Sequence, residues 1–322
     1  MEAAERALFE RSVRHAAETA TGAPLDAALE DLGWRDALED DRAVAVSVLF
    51  ESLGATGASS AALDRLLSAA LGASLDAAVV LPRLQHDGPP GRREGNHYDV
   101  CGVGTASLAG ADSLLVVIAE DGTDNGGSGK ACAIETARLG CRPVQGLDPA
   151  LGLTEVTGRF EAAEAAPPLA VDWPGALALG QLALGHELVG AGRAMLDLAR
   201  AHALERIQFG RPIATFQAVR HRLAESLVAL DAAAALLDAA WEDPSPVTAA
   251  MAKAFAGRSA RTVARHCQQV LAGIGFTTEH PLHRFVRRTV VLDQLLGAGS
   301  VLTRDLGTDV LQRATLPPAF PL

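Results

Sequence analysis

Lysine is almost absent from this 322-residue chain: Lys130 and Lys253 are the only two among 28 basic residues. Positive charge is in deficit overall. Acidic residues outnumber basic ones 39 to 28, a formal charge of −11. That balance excludes general nucleic-acid binding, where a basic patch supplies most of the affinity. The four cysteines, Cys101, Cys132, Cys141 and Cys267, form no C-x-x-C pair and no disulfide framework. Buried, reduced thiols are expected, and no metal site is expected. No stretch runs long enough without charge to cross a membrane as a helix. The first residues lack the charged-then-apolar pattern of a secretory signal. A cytoplasmic protein, without membrane or nucleic-acid partners, is the expectation.

What is present is apolar material for a large core, 49% of residues. Residues 1–80 are rich in Ala, Leu, Glu and Arg and are expected to form an N-terminal helical domain. Gly54, Gly57 and Gly72 mark its helix breaks. Pro82, Pro89 and Pro90 open a different region, 81–170, a small and shortened β domain. Ser113–Ala119, Lys130–Ile134 and Leu153–Thr157 are its expected strands. Asp121–Gly129 is expected to be a turn, because it lacks the Gly-Lys-Ser/Thr ending of a phosphate loop. From 171 to 322 the pattern is a C-terminal four-helix bundle: Gly175–Leu204, Phe216–Ala240, Val247–Ala272 and Pro281–Leu311. Gly273 and Gly275 stop the third helix. The fold class is therefore mainly α with a central β domain.

Two stretches of the bundle carry the chemistry. Arg206-Ile-Gln-Phe-Gly-Arg-Pro-Ile-Ala-Thr-Phe-Gln217 joins the first two helices. Gln268-Gln-Val-Leu-Ala-Gly-Ile-Gly-Phe-Thr-Thr-Glu-His-Pro-Leu-His283 joins the third and fourth. Each puts Arg or Gln and close-approach glycines at a helix end, where free N–H groups and side-chain donors suit an anionic ligand. Ordinary helix–helix turns would look the same by spacing alone.

These runs resemble the C-terminal signatures of the acyl-CoA dehydrogenase family, R-x-Q-F-G-x-P-I-x-x-F-Q and Q-x-L-G-G-x-G-F-T-x-E-H-P-L-H-R. Ala272 stands where the first Gly of the second usually does. The resemblance is firm over 180–307 and co-linear over 32–156. It implies the same three-part fold, and an FAD that accepts hydride as a Glu removes the α-proton of an acyl-CoA. It also implies an electron-transfer flavoprotein as electron acceptor. Carried over by position, it implies flavin contacts from Arg206, Gln208, Phe209, Ile213, Gln217, Gln269 and Gly273, made to the FAD of a neighbouring subunit.

The family's two positions for the catalytic Glu hold no carboxylate here. One reads Leu295-Leu-Gly-Ala-Gly-Ser300, the other Gly180-Gln181. Glu187 is the nearest substitute, about 10.5 Å further along its helix than Gly180, too far for proton transfer at 2.6–3.2 Å. Asp293 is expected to face solvent or to meet Arg284, Arg287 or Arg288. His186, His221 and His280 are expected to pack or hydrogen-bond. The T-E-P-x-x-G-S-D flavin cradle is absent, and Leu81–Pro90 stands in its place. The combination resembles the shorter subunit of heterotetrameric dehydrogenases of actinobacterial steroid degradation. That implies a longer partner subunit carrying the Glu, and a steroid-derived acyl-CoA. Two alternatives stand: a homomeric enzyme with a displaced base such as Glu187, or a non-enzymatic CoA-binding scaffold.

Overall fold

The computed structural model describes residues 3–73, 77–119 and 129–313. Five helices come first: α1 (Ala3–Thr19), α2 (Ala23–Asp31), α3 (Trp34–Asp40), α4 (Arg42–Thr56) and α5 (Ala62–Ala70). Asp41 caps α4 by accepting from Val44 N, and Gly57 ends it in the left-handed region, φ 72°. Gly72 likewise follows α5 with φ 69°. Gly54, expected as a break, lies inside α4. A Cβ there would come within 2.0 Å of the Glu187 carbonyl oxygen, so the glycine lets two helix backbones touch.

Strands β1 (Ala78–Val79), β2 (Leu81–Pro82), β3 (Gly91–Glu94), β4 (His97–Gly104), β5 (Ser113–Ala119), β6 (Gly129–Glu135), β7 (Gly140–Pro143), β8 (Thr154–Glu161) and β9 (Leu169–Val171) form one mixed sheet. Its main order is β7-β8-β4-β3-β5-β6-β9, with β1 on β5 and β2 on β4. Strand β5 is buried on both faces. Leu115 and Val117 join the core shared with the helices, while Leu114, Val116 and Ile118 join the core on the other side. That is why its sequence is an unbroken apolar run rather than an alternating one. Only the last residue of the expected Asp121–Gly129 turn, Gly129, lies within the described residues, and it begins β6. Cys132 and Cys267 are buried as expected, but Cys101 and Cys141 are exposed. Cys101 points to the solvent side of β4, and β7, which carries Cys141, is an edge strand exposed along its length.

The bundle follows: α6 (Trp173–Glu205), α7 (Gln217–Glu242), α8 (Pro246–Leu271), α9 (Leu282–Gln294) and α10 (Gly299–Arg313). The single fourth helix expected over 281–311 is two. Leu296 and Gly297 take φ 53° and 94°, and break it. Helix α6 is the central element. It packs on α4, α5, α7, α8 and α9. Glycine again sets the closest approach: a Cβ on Gly190 would meet the Glu51 carbonyl oxygen at 2.1 Å. No described helix is long and apolar enough to cross a membrane.

Candidate functional site

Both signature stretches fall at one end of the bundle. Helix α6 ends at Arg206, and the chain folds into a two-residue hairpin in which Ile207 opposes Pro212 and Gln208 opposes Arg211. Phe209 and Gly210 form its tip with φ 52° and 76°, the positive values that a tight hairpin turn requires. Ile213 N donates to Arg206 O at 2.8 Å and closes the loop. The tip is braced by aromatics. Phe209 meets Phe216 edge-on at 6.1 Å, and the Arg211 guanidinium lies 4.5 Å from the Phe216 ring centre. Phe209 itself is 91% exposed.

The second turn follows α8. Ala272 sits at φ 52°, ψ −133°, a conformation that costs any side chain bearing a Cβ. This accounts for the glycine usual at that place. The two turns meet through His202 and His280, whose ring centres are 6.5 Å apart. Burial first, then the Arg206 charge, holds His202 below the ordinary histidine range. For His280 the causes are burial, then His202.

The seven positions that the family resemblance matches to flavin contacts all lie in or beside these two turns. Arg206, Gln208, Phe209, Gln217, Gln269 and Gly273 are exposed and Ile213 is half-buried against the bundle core. Among the described residues, the side chains of Arg206, Gln208, Gln217 and Gln269 have no hydrogen-bond or ion-pair partner. A Cβ built on Gly273 meets nothing within 4 Å. Free donors around open space fit a polyanionic, planar cofactor such as FAD.

The two family positions for the base also meet, and they meet each other. A Cβ on Gly180 would lie 2.5 Å from Leu296 Cδ1 and 3.0 Å from Leu67 Cδ2. Gln181 Nε2 donates to Leu296 O at 3.0 Å. Where two carboxylates could have faced substrate, Leu296, which is fully buried, fills the space.

Glu187 lies elsewhere, buried against Arg288. Arg288 Nη1 donates to Glu187 Oε1 at 3.2 Å. Burial pushes the Glu187 carboxyl above its usual range, and the Arg288 charge opposes that. Asp293 departs from expectation. It is buried, paired with Arg261 rather than with Arg284, Arg287 or Arg288, and accepts from Gly299 N at 3.3 Å, capping α10. Asp293 is turned toward α8, which carries Arg261 and packs on α9. His186 hydrogen-bonds on both sides: Nδ1 lies 3.1 Å from Glu51 Oε1 and Nε2 accepts from Trp241 Nε1 at 3.1 Å. His280 Nδ1 accepts from Leu282 N, and His221 is exposed.

Sequence reading missed Lys253. It is fully buried and donates to Asp293 O at 3.1 Å and to Gly297 O, holding the α9–α10 break. The available signal was a lone lysine on the apolar stripe of α8, between Ala249 and Ala256. No group of three or more potential metal ligands occurs among the described residues.

Residues 174–311 match the acyl-CoA dehydrogenase C-terminal domain family. Acyl-CoA dehydrogenase IpdE2 of Mycobacterium tuberculosis is 34% identical over 173 residues, 54% of this chain and 52% of that protein. IpdE2 of Mycolicibacterium smegmatis is 36% identical over 129 residues, 40% and 42% of the two chains. The chain thus spans about half the length of the curated relatives it matches. Solved structures are similar over nearly the whole chain. The Tcur3481-Tcur3483 steroid ACAD gives a TM-score of 0.75 at 22% identity, covering 96% of both chains. The ChsE4-ChsE5 complex of M. tuberculosis gives 0.73 at 20%, covering 99% of both. Butyryl-CoA dehydrogenase of Megasphaera elsdenii gives 0.74 at 18%, covering 97% of this chain and 99% of that one. Residues 174–311 are thus similar to an acyl-CoA dehydrogenase C-terminal domain, and the overall fold is that of the acyl-CoA dehydrogenase structures.

Proposed function

We propose that this chain is the short subunit of a heteromeric, FAD-dependent acyl-CoA dehydrogenase, in which it lends flavin contacts to a longer subunit that carries the catalytic Glu. A contrast within the one chain carries this reading. The polar side chains matched to flavin contacts, Arg206, Gln208, Gln217 and Gln269, are exposed and unpartnered among the described residues, whereas Gly180 and Gln181 are buried against Leu296. A self-sufficient enzyme would need the reverse at the second place. Glu187 is a poor substitute, because it is buried and already held by Arg288. A scaffold without flavin would have no use for a free guanidinium and three free amides around open space.

FAD, when bound, supplies the hydride acceptor. The chain's own part is to hold it. Arg206 would meet the pyrophosphate with a rigid, multi-donor cation. Gln208, Gln217 and Gln269 would donate to cofactor oxygens or nitrogens, and Gly273 would leave the backbone approachable. The exposed Phe209 and the half-buried Ile213 would cover apolar faces. A steroid-derived acyl-CoA is the proposed substrate, supported by the steroid dehydrogenase among the structural neighbours. An electron-transfer flavoprotein is the proposed electron acceptor.

The test is co-expression with the candidate longer chain, followed by mass and flavin measurement. The chain alone should be colourless, and the complex yellow with two long and two short chains. A chain that binds FAD stoichiometrically and oxidises acyl-CoA alone would sink the reading.

A further inference from the structure

The last turn of α6 carries a half-buried histidine, His202, one helical turn before Arg206. Residues four apart share a helix face, so the imidazole and the guanidinium are neighbours. The backbone fixes their spacing. Arg206 N donates to His202 O at 2.9 Å, and Ile213 N closes the hairpin onto Arg206 O. The His202 ring meets His280 of the second turn edge-on, with the ring planes 83° apart.

Three histidines gather here, and they are not equivalent. His280 Nδ1 accepts from Leu282 N at 3.2 Å, a bond that requires that nitrogen to be unprotonated. His283 Nδ1 bonds to His280 O at 2.8 Å. Only the His202 ring, of the three, has no hydrogen-bond partner for either nitrogen among the described residues. A polar ring that is partly withdrawn from water and left without a partner calls for an explanation.

We propose that His202 is a second contact for the FAD pyrophosphate beside Arg206, and that cofactor binding places a proton on its imidazole. The inference rests on the proposed function in one respect, the assignment of Arg206 to the pyrophosphate. The charged groups facing His202 are few. Its own helix end brings Arg206 and Glu205, and the second turn brings His280, with His283 behind it. Glu279 in that turn is exposed, as are Arg220 and Arg222 at the start of α7. Arg284, Arg287 and Arg288 of α9 lie beside Asp148. The turn Ile213–Thr215 and the α8 end Gln268–Leu271, on elements that pack on α6, carry no charge.

In the empty site two causes keep the imidazole neutral, burial and then the Arg206 charge. The helix C-terminus works the other way and favours an imidazolium. A pyrophosphate dianion on Arg206 would offset that cation and attract the proton, so the His202 pKa would rise on binding. Linkage makes the effect mutual, and the proton tightens the anion as the anion tightens the proton. Below the empty-site pKa the ring is charged in both states, and above the bound-state pKa it is neutral in both. Affinity therefore climbs only as pH falls between the two. A histidine that merely packs would give no such slope.

The experiment strips flavin from the co-expressed complex and titrates FAD back by calorimetry. Affinity should rise about tenfold between about pH 8 and about pH 5.5, the equivalent of one pKa unit. Within that window the binding enthalpy should vary with the ionisation enthalpy of the buffer, which counts protons taken up by the unaltered protein. His202→Gln should abolish both the slope and the uptake. His202→Lys should bind FAD at the alkaline end about as tightly as the unaltered complex does at the acid end. No proton uptake by the unaltered complex, or a slope that survives His202→Gln, overturns the proposal. Arg206→Ala separates the two ideas. If it weakens FAD binding while the unaltered complex takes up no proton, the proposed function stands and this inference falls. If Arg206→Ala leaves FAD affinity unchanged, the pyrophosphate is not held here and both fall.

Discussion

Arg288 and Glu187 form a buried ion pair at the junction of the molecule's three parts. The guanidinium donates to Glu187 on α6, to Asp148 in the β region, and to the carbonyls of Gly57 and Ala58 just past α4. Arg288 is 3% exposed. Arg288→Met should therefore cost about 3–5 kcal/mol, because it strands a buried carboxylate. Urea unfolding checks this. Glu187→Gln keeps the hydrogen bond and should cost less.

The same pair bears on catalysis. In the assembled complex, Glu187→Gln should change flavin bleaching by an acyl-CoA less than tenfold, with flavin content equalised. Removing a true general base costs about 10² to 10⁴ in rate. A loss on that scale with FAD retained would move the base onto this chain.

Flavin retention should depend on the hairpin. Arg206→Ala removes a charge-assisted contact to an anion, about 1.5–3 kcal/mol, or roughly ten- to hundredfold in affinity. Gln269→Ala removes a neutral amide and should weaken binding less. Titration of deflavinated complex with FAD measures both, and wild-type affinity in both variants would rule the contacts out.

Ala272 offers a gain of stability. Its φ of 52° with ψ of −133° is held against its Cβ, at a cost on the order of 1–3 kcal/mol. Ala272→Gly should raise stability by about 1 kcal/mol after the extra chain entropy of glycine is subtracted. A lowered melting temperature would contradict the strain.

Lys253 should make stability depend on alkaline pH. Burial pushes its ammonium down from 10.5 to about 8, with Asp293 and Asp87 opposing. Above 10.5 both folded and unfolded forms are neutral. Between about 8 and 10.5 the unfolded chain binds a proton that the folded one does not, so stability should rise with pH across that window. Lys253→Met should flatten the rise. The difference between the two proteins cancels the opposing effect of the buried thiols Cys132 and Cys267, pushed up to about 11 and about 12. Parallel curves would show that Lys253 does not titrate there.

The sequence by itself determined what is local. The order of helices, strands and bundle followed from periodicity, and the turns at Phe209–Gly210 and Ala272–Gly273 from glycine placement. The lack of a carboxylate at 180–181 and 295–300 was likewise plain. Tertiary structure alone decided what meets what. Gly54 reads as a helix break until α6 is seen against it, and Asp293 reads as a surface acid until Arg261 covers it. Arg288 finds Asp148 and Glu187 across 140 and 101 residues of chain, and Gly180 finds Leu296 across a comparable span. Spacing along a helix states which face a residue occupies. It is silent on which other face packs there, because that is set by the joint packing of all the elements and not by any one of them.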